Sequence, residues 1–232
     1  MKRLRGVLFD AVGTLIELRE PVGDTYARVA REHGVAIAPW RLDDAFGRIL
    51  RRRPAMLFPD LPQDEVAEAE RAWWREVVRG TFLAADSTLR FERFDALFAE
   101  LFDHYAGSAA WRLRPGSLEA LSALRGRGCL LGVISNFDHR LPEVLHSLEI
   151  AGLFGSVTLP GTCRAAKPAR RIFETALASL TLARDEACYV GDDATVDLEG
   201  ARGAGLAAFD VTSLASLAEL PAHLEAAATL GR

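Results

Sequence analysis

Short apolar runs mark the two ends of the chain, and a helical rhythm fills the stretch between them. Gly6–Phe9, Cys129–Ile134, Ser156–Leu159 and Ala187–Val190 have the length and flanks of buried strands, and Ala207–Val211 is a weaker fifth. Between them, Ser117–Arg125, Leu141–Leu148, Ala169–Leu180 and Thr195–Ala204 read as helices. Strands alternating with helices predict a parallel sheet covered on both faces. From residue 18 to residue 110 the strand-like runs disappear. Phe94, Leu97, Phe98, Leu101, Phe102 and Tyr105 recur at three- and four-residue steps, the mark of one amphipathic face. Val66, Ala69, Trp73 and Val77 form a second stripe, and Pro54, Pro59 and Pro62 punctuate the loop before it. The pattern predicts an α/β core over residues 1–17 and 111–232, interrupted by a helical insertion over 18–110.

Composition alters this picture little. With 50% hydrophobic and 26% charged residues the chain can bury a sizeable core. A net charge of −4 offers no general attraction to nucleic acid or anionic lipid, and Arg51, Arg52 and Arg53 read as a solvated helix face. No stretch approaches the roughly 18 apolar residues of a membrane span. Met1–Arg5 is basic, but Gly6–Phe9 is too short for the apolar region of a secretory signal. Cys129, Cys163 and Cys188 are odd in number and lack metal-site spacing, which suits reduced thiols in a cytoplasm. Of 28 basic residues only Lys2 and Lys167 are lysine, so Lys167 stands out.

In an open parallel sheet, ligands gather beyond the carboxyl ends of the strands. The polar residues there form four sets: Asp10 to Thr14, Ser135-Asn136, Lys167-Pro168, and Gly191-Asp192-Asp193 with Asp197 beyond. Each alone has an ordinary reading, as a helix cap, a surface loop or a turn. Together they supply a carboxylate, a small hydroxyl, a lysine and an acidic pair, the parts needed to handle an anion.

Leu8-Phe9-Asp10-Ala11-Val12-Gly13-Thr14-Leu15, Val133-Ile134-Ser135-Asn136, Lys167-Pro168 and Val190-Gly191-Asp192-Asp193 resemble, in order, the four motifs of the haloacid dehalogenase superfamily. The helical insertion is similar to that family's cap domain, which makes the expected fold a Rossmann-like α/β core with an inserted α-helical cap. Trp73 to Val78, Val133 to Asp138 and the Gly191-Asp192 segment look most like the haloacid-dehalogenase-like hydrolase domain-containing 3 group. The resemblance implies a hydrolase acting on a small, phosphorylated molecule. Asp10 would be the nucleophile, forming an aspartyl intermediate. Thr14, Ser135 and Asn136 would bind substrate oxygens, and Lys167 would neutralise both nucleophile and transferring group. Mg2+ would be held by Asp10, Asp192 and the Val12 carbonyl, with Asp193 and Asp197 in support.

Val12 departs from the pattern. Most phosphatases of this family carry an acid there, which protonates the leaving group and then activates water, and valine transfers no protons. Such help is typically worth roughly 10²–10⁴-fold. Phosphonate hydrolases of the family need a cap lysine, and no lysine lies between Val12 and Arg112. Two alternatives to a phosphatase-type hydrolase therefore stand: a 2-haloacid dehalogenase, whose family pattern lacks the acidic ligand that Asp192 provides, and a catalytically weak Mg2+- and phosphate-binding protein.

Overall fold

A central strand that is buried on both faces has no polar side to alternate with, so it reads as an unbroken apolar run. In the computed structural model, which describes residues 4–230, β1 (Gly6–Phe9) is such a strand, with all four residues buried. The expected core boundaries at residues 1 and 232 lie outside the described residues. The remaining strands are β2 (Ile16–Leu18), β3 (Trp111–Leu113), β4 (Leu130–Ile134), β5 (Ser156–Thr158), β6 (Ala187–Gly191) and β7 (Ala207–Asp210). Five of them form one sheet in the order β5-β4-β1-β6-β7, with parallel pairing throughout. The register sets Phe9 opposite Val133 on one side and Val190 on the other, so the chain leaves β1, β4 and β6 at one edge. The architecture is Rossmann-like α/β, as the alternation predicts.

Contacts divide the chain into two units. The α/β unit comprises Met1–Glu17, Leu57–Asp60 and Arg112–Arg232, and the helical unit Leu18–Met56 and Leu61–Trp111. In the α/β unit, Leu8, Ile134, Ile172, Phe173, Ala176 and Tyr189 belong to one buried cluster. The segment expected as a helix over Thr195–Ala204 begins instead as a π-helical turn, Ala194–Glu199, before Gly200–Gly203. The Asp193 carboxylate caps it by accepting the N–H groups of Thr195 and Val196, and the wider turn leaves Asp197 buried. The paired three-residue strands β2 and β3 have no counterpart in the sequence reading, because three residues are too few to establish a period.

The helical unit contains α1 (Val22–Glu32), α2 (Pro39–Arg52), α3 (Val66–Ala85) and α4 (Phe94–His104). Tyr26 of α1 stacks on Phe82 of α3 with ring centroids 5.7 Å apart, and Leu97, Phe98 and Leu101 of α4 are buried as their spacing predicts. Full burial of such side chains stabilises by about 1.5–3 kcal/mol each. The α3 stripe is displaced from the expected one. Val66 and Val77 are buried, but the face continues through Glu70, Val78, Thr81, Phe82 and Ala85, leaving Ala69 and Trp73 half-buried. The Thr81 hydroxyl is satisfied by the Val77 carbonyl at 2.8 Å, and the Trp73 indole donates to the Pro54 carbonyl at 3.1 Å, which anchors the preceding loop. Arg51 and Arg52 are exposed as expected, whereas the Arg53 guanidinium lies 5.6 Å from the Trp73 ring. Among the described residues no helix is long and apolar enough to cross a membrane.

Candidate active site

Four loops converge at the carboxyl edge of β1, β4 and β6. Asp10 follows β1 directly and is buried, its backbone N–H held by the Val190 carbonyl at 2.8 Å. The Lys167 ammonium donates to Asp10 Oδ1 at 2.6 Å, to Asp197 Oδ1 at 2.6 Å and to the Tyr189 hydroxyl at 3.0 Å. Its loop is fastened to the end of β4 by Asn136, whose amide accepts the Lys167 N–H at 2.8 Å and donates to the Lys167 carbonyl at 3.0 Å. The Asn136 side chain, expected at the substrate, is thus also bonded to the backbone of the lysine's loop.

Asp10, Asp192 and Asp197 present carboxylate oxygens that all lie within 4.8 Å of one another. They are not equivalent. Asp197 is saturated: Oδ1 accepts from Lys167 and Tyr189, and Oδ2 from the backbone N–H groups of Asp192 and Asp193 at 3.3 and 3.2 Å. It braces the lysine and the β6 loop, and Asp193 serves as a helix cap. Asp10, by contrast, has an Oδ2 with no donor among the described residues. Asp192 is half-buried, and its Oδ1 accepts the Thr14 hydroxyl at 3.1 Å. Thr14 is fully buried, so its hydroxyl ties the β1 loop to the β6 loop. Ser135, also buried, accepts the Phe137 N–H at 3.3 Å, which leaves its O–H to donate elsewhere.

Three carboxylates share one ammonium, and the electrostatics follow. Burial, more than the neighbouring Asp197 and Asp192, pushes the Asp10 carboxyl up to about 6, against the pull of Lys167. Burial also raises Asp192, with Asp197 adding to it and the Thr14 hydrogen bond opposing. For Lys167, burial works against the charge, but Asp10 and Asp197 prevail and hold the ammonium above its ordinary value. With all three carboxylates ionised, the cluster carries a surplus of negative charge and hard oxygen donors, which fits a small divalent cation.

Val12 is 38% exposed. The bridge between Val12 and Ile16 uses the Ala11 carbonyl, the Gly13 N–H and both backbone groups of Ile16, so the Val12 carbonyl takes no part in it. Gly13 turns at φ +91°, and a Cβ there would fall 2.4 Å from Asp192 Oδ2. Gly13→Ala is therefore expected to cost about 1–3 kcal/mol of stability, from strained backbone and a displaced Asp192. Denaturant unfolding checks it, and an unchanged midpoint would mean the loop has another conformation at hand.

Two residues absent from the sequence reading complete the site. Arg114 donates to the carbonyls of Gly13, Val211 and Leu214 at 3.4, 2.9 and 3.2 Å, supporting the β1 loop. Tyr189, fully buried in β6, donates its hydroxyl to Asp197 Oδ1 at 2.8 Å. Burial, reinforced by Asp10 and Asp197, raises that hydroxyl well above the ordinary tyrosine value, so it stays protonated. A tyrosine inside an otherwise apolar strand was the available signal, since a buried phenol demands a partner.

A family model described as haloacid dehalogenase-like hydrolase matches residues 4–205. The chain is 31% identical over 207 residues to haloacid dehalogenase-like hydrolase domain-containing protein 3 of Mus musculus, spanning 89% of this chain and 81% of that one. Among solved structures, a HAD phosphatase from Thermococcus onnurineus superposes with a TM-score of 0.64 at 22% identity, covering 95% of this chain and 98% of its own. A 2-haloacid dehalogenase from Pseudomonas syringae superposes with a TM-score of 0.59 at 19% identity, covering 96% and 98%. The same fold thus carries both chemistries, and the site residues have to separate them.

Proposed function

The chain belongs to the haloacid dehalogenase-like hydrolase family, and on that footing we propose that it is a Mg2+-dependent, phosphatase-type hydrolase of small phosphorylated molecules. The observation that carries this reading is Asp192, a second carboxylate set beside the buried Asp10 in a cluster with excess negative charge. Asp10 Oδ2 attacks phosphorus as the bond to the leaving group breaks, giving an aspartyl phosphate; water then attacks the phosphorus, restoring the carboxylate and releasing inorganic phosphate. Lys167 offsets the repulsion between Asp10 and the incoming anion. Ser135 donates its hydroxyl to a substrate oxygen. Thr14 shares in substrate binding and keeps Asp192 in place, and Asn136, with Asp193 and Asp197, holds the loops in register. Asp10, Asp192 and the Val12 carbonyl would hold Mg2+, which would supply Lewis-acid neutralisation of the transferring group. In this reading residues 18–110 are the cap domain that selects substrate, and the odd number of cysteines suits a reducing cytoplasm.

Val12 favours a second reading, a Mg2+- and phosphate-binding protein with little turnover. A substrate panel of phosphate esters, acyl phosphates and 2-haloacids, run with and without Mg2+, separates these readings. Metal-dependent phosphate release supports the first, binding without turnover the second, and metal-independent halide release would replace both with a dehalogenase.

Mg2+ itself is expected to raise the melting temperature and to bind in titration calorimetry, with Asp192→Asn abolishing both effects. Because burial holds the cation-free Asp10 carboxyl near 6, protons compete with the ion below that pH. Apparent affinity should fall as pH drops from 7 to 5, with proton release on binding. Unchanged affinity in the Asp192 variant would place the ion elsewhere.

A further inference from the structure

An ammonium has three N–H donors, and all three of Lys167 are engaged, by Asp10, Asp197 and Tyr189. If Lys167 is to meet the oxygen of an incoming anion, one partner must yield. Two partners are carboxylates at 2.6 Å, joined by charge-assisted bonds on both sides. The third is a neutral hydroxyl at 3.0 Å. That hydroxyl is also the partner that loses least by release, since it keeps its own bond to Asp197 Oδ1 at 2.8 Å. The ring cannot follow the lysine. It is fully buried and packed edge-on against Phe173, with centroids 5.2 Å apart and planes at 81°.

We propose that the Tyr189 hydroxyl is a placeholder for the substrate: it holds the third N–H of Lys167 in the resting site and surrenders it to an oxyanion on binding. Tyr189 is thus a positioning residue that acts through Lys167, and no covalent bond changes in the exchange. The placeholder keeps the lysine aimed at the reacting centre while the site is empty, and it competes with the ligand for the same donor. The inference rests on the phosphatase-type reading above.

The consequence has a sign opposite to simple damage. Tyr189→Phe keeps the ring and removes the competitor, so inorganic phosphate should bind more tightly, by about tenfold for one freed charge-assisted hydrogen bond. Turnover should not rise, because the tighter binding is to the ground state. Calorimetry with inorganic phosphate at saturating Mg2+, on wild type and variant, reads this directly. Equal or weaker binding by Tyr189→Phe, with wild type binding normally, overturns the placeholder alone. Absence of phosphate binding in both proteins overturns the phosphatase-type reading and the placeholder with it.

A second measurement needs no variant. Lys2 and Lys167 are the only lysines in the chain, so protein labelled with ¹⁵N at lysine Nζ has two ammonium resonances to assign. Saturating phosphate should shift that of Lys167 as its third donor changes partner. An unmoved Lys167 resonance under conditions where calorimetry shows phosphate bound overturns the proposal.

Discussion

Asp10→Asn is expected to lower hydrolysis on the order of 10⁴-fold or more, the scale on which loss of a nucleophile is felt. An amide is a far poorer nucleophile than a carboxylate. The change is also gentle on the fold. Asn has the same shape, its Oδ1 still accepts from Lys167, and the backbone N–H of residue 10 remains on the Val190 carbonyl. Lys167 keeps Asp197 as a counter-ion at 2.6 Å. The variant should therefore unfold cooperatively like the wild type while losing nearly all turnover. Steady-state assays on highly purified protein, with thermal unfolding alongside, check both halves. Activity near the wild-type level would remove Asp10 from the mechanism.

Val12→Asp is expected to accelerate the hydrolysis of alkyl phosphates selectively, by up to roughly 10²–10⁴-fold, the range a positioned acid contributes. In the wild type three titratable neighbours of Asp10 are already engaged, and the fourth, Asp192, is the one assigned to the cation. Asp197 accepts four hydrogen bonds, Lys167 spends three donors, and the Tyr189 hydroxyl donates to Asp197. A substrate whose leaving group departs without a proton, such as an aryl or acyl phosphate, should thus react much faster than an alkyl ester. Position 12 suits the replacement because the residue is partly exposed, so a new carboxylate there keeps part of its hydration. Repulsion from Asp10 and Asp192 would hold its pKa up, which favours the protonated acid. Single-turnover rates plotted against leaving-group pKa, for wild type and Val12→Asp, measure the effect as a change of slope. Equal slopes, with alkyl esters already cleaved rapidly by the wild type, would mean that another residue supplies the proton.

These two experiments bear on different levels of the molecule. Asp10 is set by the end of a buried central strand, and its reactivity depends on neighbours from three other loops. Val12 is one side chain on the turn that follows, and its backbone and side chain are proposed to act separately: the carbonyl toward a cation, the isopropyl group as a missing acid. Gly13 makes both arrangements compatible with Asp192, because its positive φ and absent Cβ leave room for that carboxylate.

Much of the α/β unit was legible in the amino-acid order itself. β1, β4 and β6 are buried from both sides, so their apolar runs are continuous, and ligand-handling residues can only follow where the runs stop. That local rule puts Asp10, Ser135 and Asp192 at one edge of the sheet, as the structure does. The scarcity of lysine singles out Lys167 from the sequence alone. The tertiary structure decided what the residues do to one another. Asp193 and Asp197 are four positions apart, yet one caps a π-helical turn and the other lies buried under Lys167. Thr14 and Asn136 turn toward Asp192 and the Lys167 backbone, contacts between segments distant in sequence that no local pattern encodes. The shifted stripe on α3 has the same origin. A helix of 20 residues with small and aromatic side chains on several faces has more than one plausible buried side, and packing against its neighbours selects among them. Tyr189 is the plainest case. Its ring belongs to the strand pattern and its hydroxyl to the candidate site, and only folding brings Lys167, 22 positions away in sequence, within 3.0 Å of it. Periodicity records which side of an element meets apolar surroundings; hydrogen-bond partners are fixed by the three-dimensional convergence of loops, which leaves no period in the sequence.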